Sequence, residues 1–310
     1  MKPSSDGDAA GTVVFIPGFL DTAALWYGVI ARLSAPRWRT RAVNLQYVDD
    51  ADPGRRGAIL EGYRDQVLDG LDHIDPTAQR PVVVVGHSMG SQVGELVAAA
   101  RPGIAVGLAL IAPIPLTGYA LIPAQAAQFD QMAQDRDAAS AAQGRRALLS
   151  NDSPPVMQDL VSATLATPPV TAVQQLRAWT AGHPLGDQPS VVSAPVLLIG
   201  GDEDTFSSPE LIRDVVAPRF ADVRRAHVAD AGHWPPVEQP AAVAHLLGRF
   251  LIRVADGPPQ PAPSTNRTPK GKENEGHLLR SLWRTRRRAG RHRAARATTR
   301  GRPSTGEDPA

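Results

Sequence analysis

Apolar residues fall along this chain in two rhythms. Short, almost uninterrupted runs at Thr12–Ile16, Val82–Val85, Ala105–Ile111 and Pro195–Gly200 read as strands buried on both faces. Arg41–Leu45 and Val223–Val228 read as further strands. Between them, apolar positions recur at helical spacing. Ala23–Leu33 would bury Leu25, Trp26, Val29, Ile30 and Leu33, and Ile59–Ile74 would bury Leu60, Tyr63, Val67, Leu68 and Leu71. After Val85 a helix placing Met89, Val93, Leu96, Val97 and Ala100 on one side is expected, with later helices at Pro209–Val216 and Ala241–Val254. Strand and helix in alternation predict a mostly parallel sheet covered on both faces, with right-handed crossovers.

The alternation stops at Pro113. From Ile114 to Pro189 the chain is rich in Ala, Gln and Pro and predicts four helices, near Pro123–Asp137, Ala141–Leu149, Val156–Ala166 and Val170–Ala181. That stretch is too long for a simple loop, and strands resume directly after it. An inserted helical cap over the C-terminal edge of the sheet is expected.

Composition then bounds the ends. In 310 residues, 42% of them apolar, there is enough material for a sizeable core. The net charge of +2 hides an uneven distribution: Ser264–Ala310 carries 13 Lys/Arg against 4 Asp/Glu, so the remainder is acidic. Residues 258–310 are expected to be a basic, largely disordered tail and residues 1–11 a disordered leader, which leaves 12–257 as the folded domain. The absence of cysteine excludes disulfides and thiolate chemistry. MKPSSDGDAAG has no apolar h-region and no run approaches the roughly 20 residues of a membrane span, so a cytoplasmic location is expected.

The chemistry gathers where strands end. Gly86-His87-Ser88-Met89-Gly90 is G-x-S-x-G with a strand before it and a helix after it. A one-residue turn there would lift Ser88 clear of the sheet, beside the unpaired amides of a helix N-terminus. Downstream, Gly200-Gly201-Asp202-Glu203-Asp204-Thr205-Phe206 offers two candidate carboxylates, Asp202 and Asp204. Asp230-Ala231-Gly232-His233-Trp234-Pro235 offers a histidine after the next strand. In a parallel sheet all three loops open at one edge, and the order Ser, Asp, His suits a nucleophile, an orienting acid and a base. His183, His227 and His245 lack metal-ligand spacing, and no nucleotide-binding motif occurs, so neither metal nor cofactor is expected.

FIPGFLDTAALW, GHSMG, GGDEDTF and AGHWPPVEQP together make Thr12–Val254 resemble the α/β-hydrolase superfamily, among its capped single-domain serine hydrolases. These include carboxylesterases, carbon–carbon hydrolases of vinylogous diketones and lactonases. The resemblance implies a nucleophile at Ser88, an acid at Asp204 (the Asp of G-x-x-D) rather than Asp202, a base at His233 and a structural Glu238. It also implies an oxyanion hole from the backbone N–H groups of Phe19 and Met89. The family usually opens with a β-hairpin, for which only 11 residues precede Thr12, so a sheet of about six strands is expected. Ser91 stands where the family often has glycine. A serine nucleophile argues against haloalkane dehalogenase and epoxide hydrolase chemistry.

The implied activity is hydrolysis of a small to medium carboxylic ester, with carbon–carbon or lactone cleavage as the alternatives and a small acyl compound as the partner. Trp26, Tyr119, Phe129, Trp179 and Trp234 are candidate pocket residues, with Leu121, Met132, Met157 and Leu160 further possibilities, although plain core packing is the simpler reading of such residues. Arg136, Arg145, Arg146 and Arg177 would suit an acidic substrate but read more simply as a solvated helix face. The tail segment Arg284–Arg300 implies a separate role, weak and nonspecific binding to an anionic polymer or membrane surface, lost steeply with salt. Oligomeric state is not legible.

Overall fold

A computed structural model describes residues 11–256, apart from 50, 53, 74, 75, 78, 79 and 136. The basic tail and residues 1–10 of the expected leader lie outside the described residues, whereas Gly11 opens the first strand.

Six strands, β1 (Gly11–Ile16), β2 (Trp38–Ala42), β3 (Val82–His87), β4 (Ala105–Ile111), β5 (Val196–Gly201) and β6 (Val223–Val228), form one sheet in the order β2-β1-β3-β4-β5-β6. Every pair is parallel, with Phe15 opposite Val85, Val85 opposite Ala109 and Ala109 opposite Leu197. Alternate residues point to opposite faces, so each central strand feeds two cores. Val14, Val84, Leu108 and Leu198 lie in one, Phe15, Val85, Ala109 and Leu197 in the other. Burying each such side chain fully contributes about 1.5–3 kcal/mol.

The helices divide accordingly. α1 (Tyr27–Ile30) and α10 (Pro240–Ala255) contribute Val29, Val243, Leu247 and Leu251 to the second core. α2 (Ala58–Asp72) and α3 (Met89–Ala100) contribute Leu60, Tyr63, Met89 and Val93 to the first. The helix expected over Ala23–Leu33 is a 3-10 turn, Ala23–Trp26, followed by the four-residue α1. β2 lies earlier than the apolar signal at Arg41–Leu45, because an edge strand pairs through its backbone while Arg39, Thr40 and Arg41 face water.

Between β4 and β5 the chain leaves the sheet and forms α4 (Pro123–Gln134), α5 (Ala138–Arg146), α6 (Pro154–Ala166) and α7 (Pro169–Ala181), the expected helical cap. The two legs of this insertion are bonded together, His183 N–H to Leu116 O at 2.7 Å and Tyr119 N–H to Thr180 O at 3.1 Å. Arg56, ahead of α2, donates to Thr117 O at 2.9 Å and Ala181 O at 3.0 Å, which ties both legs to the core. After β5 come α8 (Pro209–Leu211) and two short turns, and after β6 comes α9 (Pro235–Glu238). No helix among the described residues is long and apolar enough to cross a membrane.

Candidate active site

β3 ends at His87 and α3 begins at Met89, so Ser88 alone turns the chain, at φ 50° and ψ −120°. This is a region that L residues with side chains avoid, at a cost on the order of 1–3 kcal/mol. The flanking glycines permit it by close approach. A Cβ on Gly86 would lie 2.2 Å from Gly90 O, and one on Gly90 would lie 2.5 Å from Ile16 O and Pro17 O. Ser91 replaces the expected glycine with a function: its Oγ donates to Ser88 O and accepts from Ile114 N–H at 3.1 Å, binding the elbow to the start of the cap.

Ser88 Oγ is 3.0 Å from His233 Nε2, and His233 Nδ1 is 2.9 Å from Asp204 Oδ2. An ionised carboxylate can only accept, so Nδ1–H donates to Asp204 and the Nε2 lone pair accepts the Ser88 O–H. Asp204 Oδ1 takes the N–H groups of Phe206 at 2.8 Å and Ser207 at 2.9 Å. Burial pushes the Asp204 carboxyl up, but the neighbouring His233 and the two backbone donors outweigh it and hold the group below its ordinary value. Asp202, the other carboxylate, is about half exposed and lies 3.5 Å from His227 Nδ1, away from His233. Glu238 accepts from Gly232 N–H and Trp234 N–H, which fixes the backbone on both sides of the histidine.

Phe19 and Met89 meet the elbow from two sides. Gly18 approaches so closely that a Cβ there would lie 3.0 Å from Ser88 Cβ, and Leu20, at φ 59°, donates its N–H to cap Gln175 Oε1 at 3.0 Å. Met89 is the first residue of α3, where amides have no intrahelical acceptor. Among the described residues, neither the Phe19 nor the Met89 amide donates to a protein acceptor. A substrate oxygen at Ser88 would find them free.

A cavity sits over Ser88, walled by Phe19, Phe129, Met132, Leu148, Trp179 and Phe206. Only about 20 Å³ is open to the centre of a water molecule, room for one water. Of the expected pocket residues, Phe129, Trp179 and Trp234 line it. Tyr119 is one layer back, stacked on Phe206 at 4.5 Å with its O–H on Phe206 O at 3.2 Å. Trp26 is not at the cavity: it is wholly buried in the other core, 5.1 Å from Phe15 between ring centroids. Trp26→Ala is therefore expected to lower stability by about 3–5 kcal/mol in urea unfolding without removing any side chain that lines the cavity.

Phe206, Leu148, Asp21 and, as a buried group, Arg145 also line the cavity and are not among the residues expected from sequence. Phe206 had a signal, since it stands two positions after Asp204. Arg145 had none. Far from a solvated face, it is 1% exposed, with Nη1 2.9 Å from Asp21 Oδ1, Nη2–H donating to Leu20 O at 2.7 Å and Nε–H to Thr164 Oγ1 at 2.9 Å. The approach to Oδ1 lies off the hydrogen-bond line, so that contact is ionic. Burial pushes the Asp21 carboxyl up, but Arg145, His87 and Trp234 hold it below its ordinary value. Arg146 is exposed beside Asp152, Arg177 faces solvent, and Arg136 lies outside the described residues.

A parallel sheet, a strained serine between strand and helix, and a buried Asp–His pair at the same sheet edge define the hydrolase class typical of this fold. The chain belongs to the Alpha/beta hydrolase family, whose sequence profile matches residues 13–246. Among solved structures it is similar to a thermophilic esterase from Thermogutta terrifontis, with 21% identity, TM-score 0.66, and coverage of 80% of this chain and 91% of that one. It is also similar to the enol-lactonase from Burkholderia xenovorans, with 18% identity, TM-score 0.67, and coverage of 80% and 94%. A third is 2-hydroxy-6-oxo-6-phenylhexa-2,4-dienoate hydrolase from a Rhodococcus species, with 17% identity, TM-score 0.64, and coverage of 79% and 91%. No curated protein sequence matches. At these identities the likeness carries the fold alone.

Proposed function

We propose that this protein is a serine hydrolase that cleaves small, uncharged carboxylic esters through an acyl-enzyme. The observation that carries the reading is the unbroken line from Asp204 through His233 to Ser88 Oγ, opening into an apolar cavity. His233 Nε2 takes the Ser88 proton as Oγ attacks the ester carbonyl, whose oxygen becomes an anion facing the Phe19 and Met89 amides. His233 then gives that proton to the departing alkoxide oxygen, and the alcohol leaves. Water, deprotonated by the same imidazole, attacks the acyl carbon, and the proton returns to Ser88 as the carboxylic acid is released. Each amide donor is expected to contribute about 3 kcal/mol to the transition state.

Electrostatics favour an ester over an acidic diketone. The cation at the cavity, Arg145, is neutralised by Asp21 and has each of its nitrogens engaged, so no unpaired cation among the described residues lines the cavity to receive a carboxylate. The closeness of the aromatic walls favours a short acyl group. Turnover of p-nitrophenyl acetate, butyrate and octanoate, beside a vinylogous diketone acid and a γ-lactone, tests this. Acetate is expected to have the highest kcat/KM, and octanoate a value lower by about 10- to 100-fold. Faster turnover of the diketone acid, or of octanoate, would refute the assignment.

A further inference from the structure

The cap segment from Arg145 to Asn151 is bonded to three of the loops that carry the site. Arg145 pairs with Asp21, two residues after Phe19. His233 N–H donates to Leu148 O at 2.9 Å, and Ser150 Oγ donates to Glu203 Oε2 at 2.8 Å, one residue before Asp204. Ser150 N–H and Asn151 N–H both donate to Glu238, the carboxylate that also holds the amides flanking His233. Exclusion of water alone would require none of these bonds.

The ion pair is the unusual member of this set. Both side chains are 1% exposed, and apolar residues of similar volume would hold the elements together at least as well. Its contacts lead toward the histidine. Asp21 Oδ2 accepts Trp234 Nε1–H at 3.2 Å and lies 3.4 Å from His87 Nδ1, while His87 Nε2–H donates to His233 O at 2.7 Å. The Arg145 guanidinium lies 4.8 Å from the centroid of the Trp234 ring, which packs edge-on against His233 at 5.0 Å. Two branches thus join α5 to the histidine, one through Trp234 and one through His87.

Resting on the acyl-transfer reading above, we propose that Arg145 and Asp21 are positioning residues: seated together, they orient His233 through Trp234 and His87, and their opposite charges cancel beside it. The charged and titratable groups facing His233 are Asp204 after β5, His87 at the end of β3, Asp21 after β1, Arg145 on α5 and Glu238 on α9. Asp21 and Arg145 make no bond to His233 or to the amides beside it. Exchanging them alters the field at the imidazole without removing one of its partners.

The test is kcat/KM against pH for p-nitrophenyl acetate in wild type, Asp21→Asn, Arg145→Gln and the double variant, with fluorophosphonate labelling of Ser88 to count competent sites. Asp21→Asn leaves the Arg145 charge uncompensated, which disfavours imidazolium and moves the acid limb to lower pH. Arg145→Gln leaves the Asp21 charge uncompensated and moves it to higher pH. The double variant is expected to restore the limb but to keep kcat about tenfold or more below wild type, with KM changed less than about threefold, because geometry is not restored with charge. Equal or absent shifts in the two single variants, or full recovery of kcat in the double variant, would overturn the proposal. If a single variant does not fold, Trp234→Phe removes the Nε1–H donor without changing charge. A kcat loss of about tenfold with an unmoved limb supports the proposal, and an unchanged kcat overturns it. Failure of the acyl-transfer reading is seen separately, as a wild type that neither hydrolyses the ester nor labels at Ser88.

Discussion

Ser88→Ala is expected to abolish ester hydrolysis, lowering kcat by about 10⁶-fold, with complete loss of fluorophosphonate labelling. The size of the effect follows from the unit in which Ser88 sits. Without Oγ, His233 has no nucleophile to activate at 3.0 Å, and only the free amides and the cavity remain to assist water. The fold is expected to persist, since among the described residues Oγ makes no hydrogen bond other than that to His233. Ser88→Gly should be about as inactive and more stable by about 1 kcal/mol, because glycine meets φ 50° without strain. More than about a tenth of wild-type activity in Ser88→Ala would place the nucleophile elsewhere and refute the acyl-enzyme.

Asp204→Asn is expected to lower kcat by about 10⁴-fold, whereas Asp202→Asn should change it by less than about threefold. The contrast follows from geometry: Asp204 bonds His233 Nδ1 at 2.9 Å, while Asp202 faces water and His227. An asparagine amide presenting N–H to Nδ1 forces the imidazole proton onto Nε2, where the Ser88 proton has to be accepted. Stability gives a second reading. The Asp204 carboxyl is held below its ordinary value in the fold, so its contribution is present above the unfolded pKa of about 3.9 and is lost as pH falls below it. The difference in Tm between wild type and Asp204→Asn should accordingly narrow as pH falls below about 4. Equal losses of kcat in the two variants would show that the acid has been misassigned.

A hydrolase that fastens its cap to its histidine loop makes an economical use of one segment. Arg145–Asn151 walls the cavity through Leu148 and simultaneously holds the loops of Asp21, Glu203 and His233. Cap movement that breaks these bonds would loosen the base as well as open the cavity. α4, by contrast, walls the cavity with Phe129 and Met132 and packs on the core through apolar side chains.

The elements that sequence described well are those specified by local rules. G-x-S-x-G needs its glycines because backbone atoms lie 2.2 and 2.5 Å from where their Cβ atoms would be, and so the elbow is written within five residues. The apolar runs of β3, β4 and β5 are readable because both faces of those strands are buried, whereas edge strand β2 drifted from its signal because it pairs by backbone alone. The loops of Asp204 and His233 were readable because each follows a strand of the same parallel sheet; that position left Asp202 and Asp204 open, the resemblance favoured Asp204, and the structure places Asp204 at 2.9 Å from His233.

The pocket was legible only in part, because a side chain's type does not say which core it joins. Trp26 and Trp179 are both deeply buried tryptophans, yet the sheet separates them: one packs on Phe15, the other faces Ser88 across the cavity. Arg145 and Arg146 are neighbours on one helix, and the helix's rotation sends one to Asp21 in the interior and the other to Asp152 in water. The parallel sheet's central strands, the elbow and the order of the residues that meet it follow from spacing along the chain. Tertiary structure alone decided which side chains line the cavity and which lie behind His233, because these depend on contacts between residues far apart in the chain, such as Asp21 with Arg145 and Trp234.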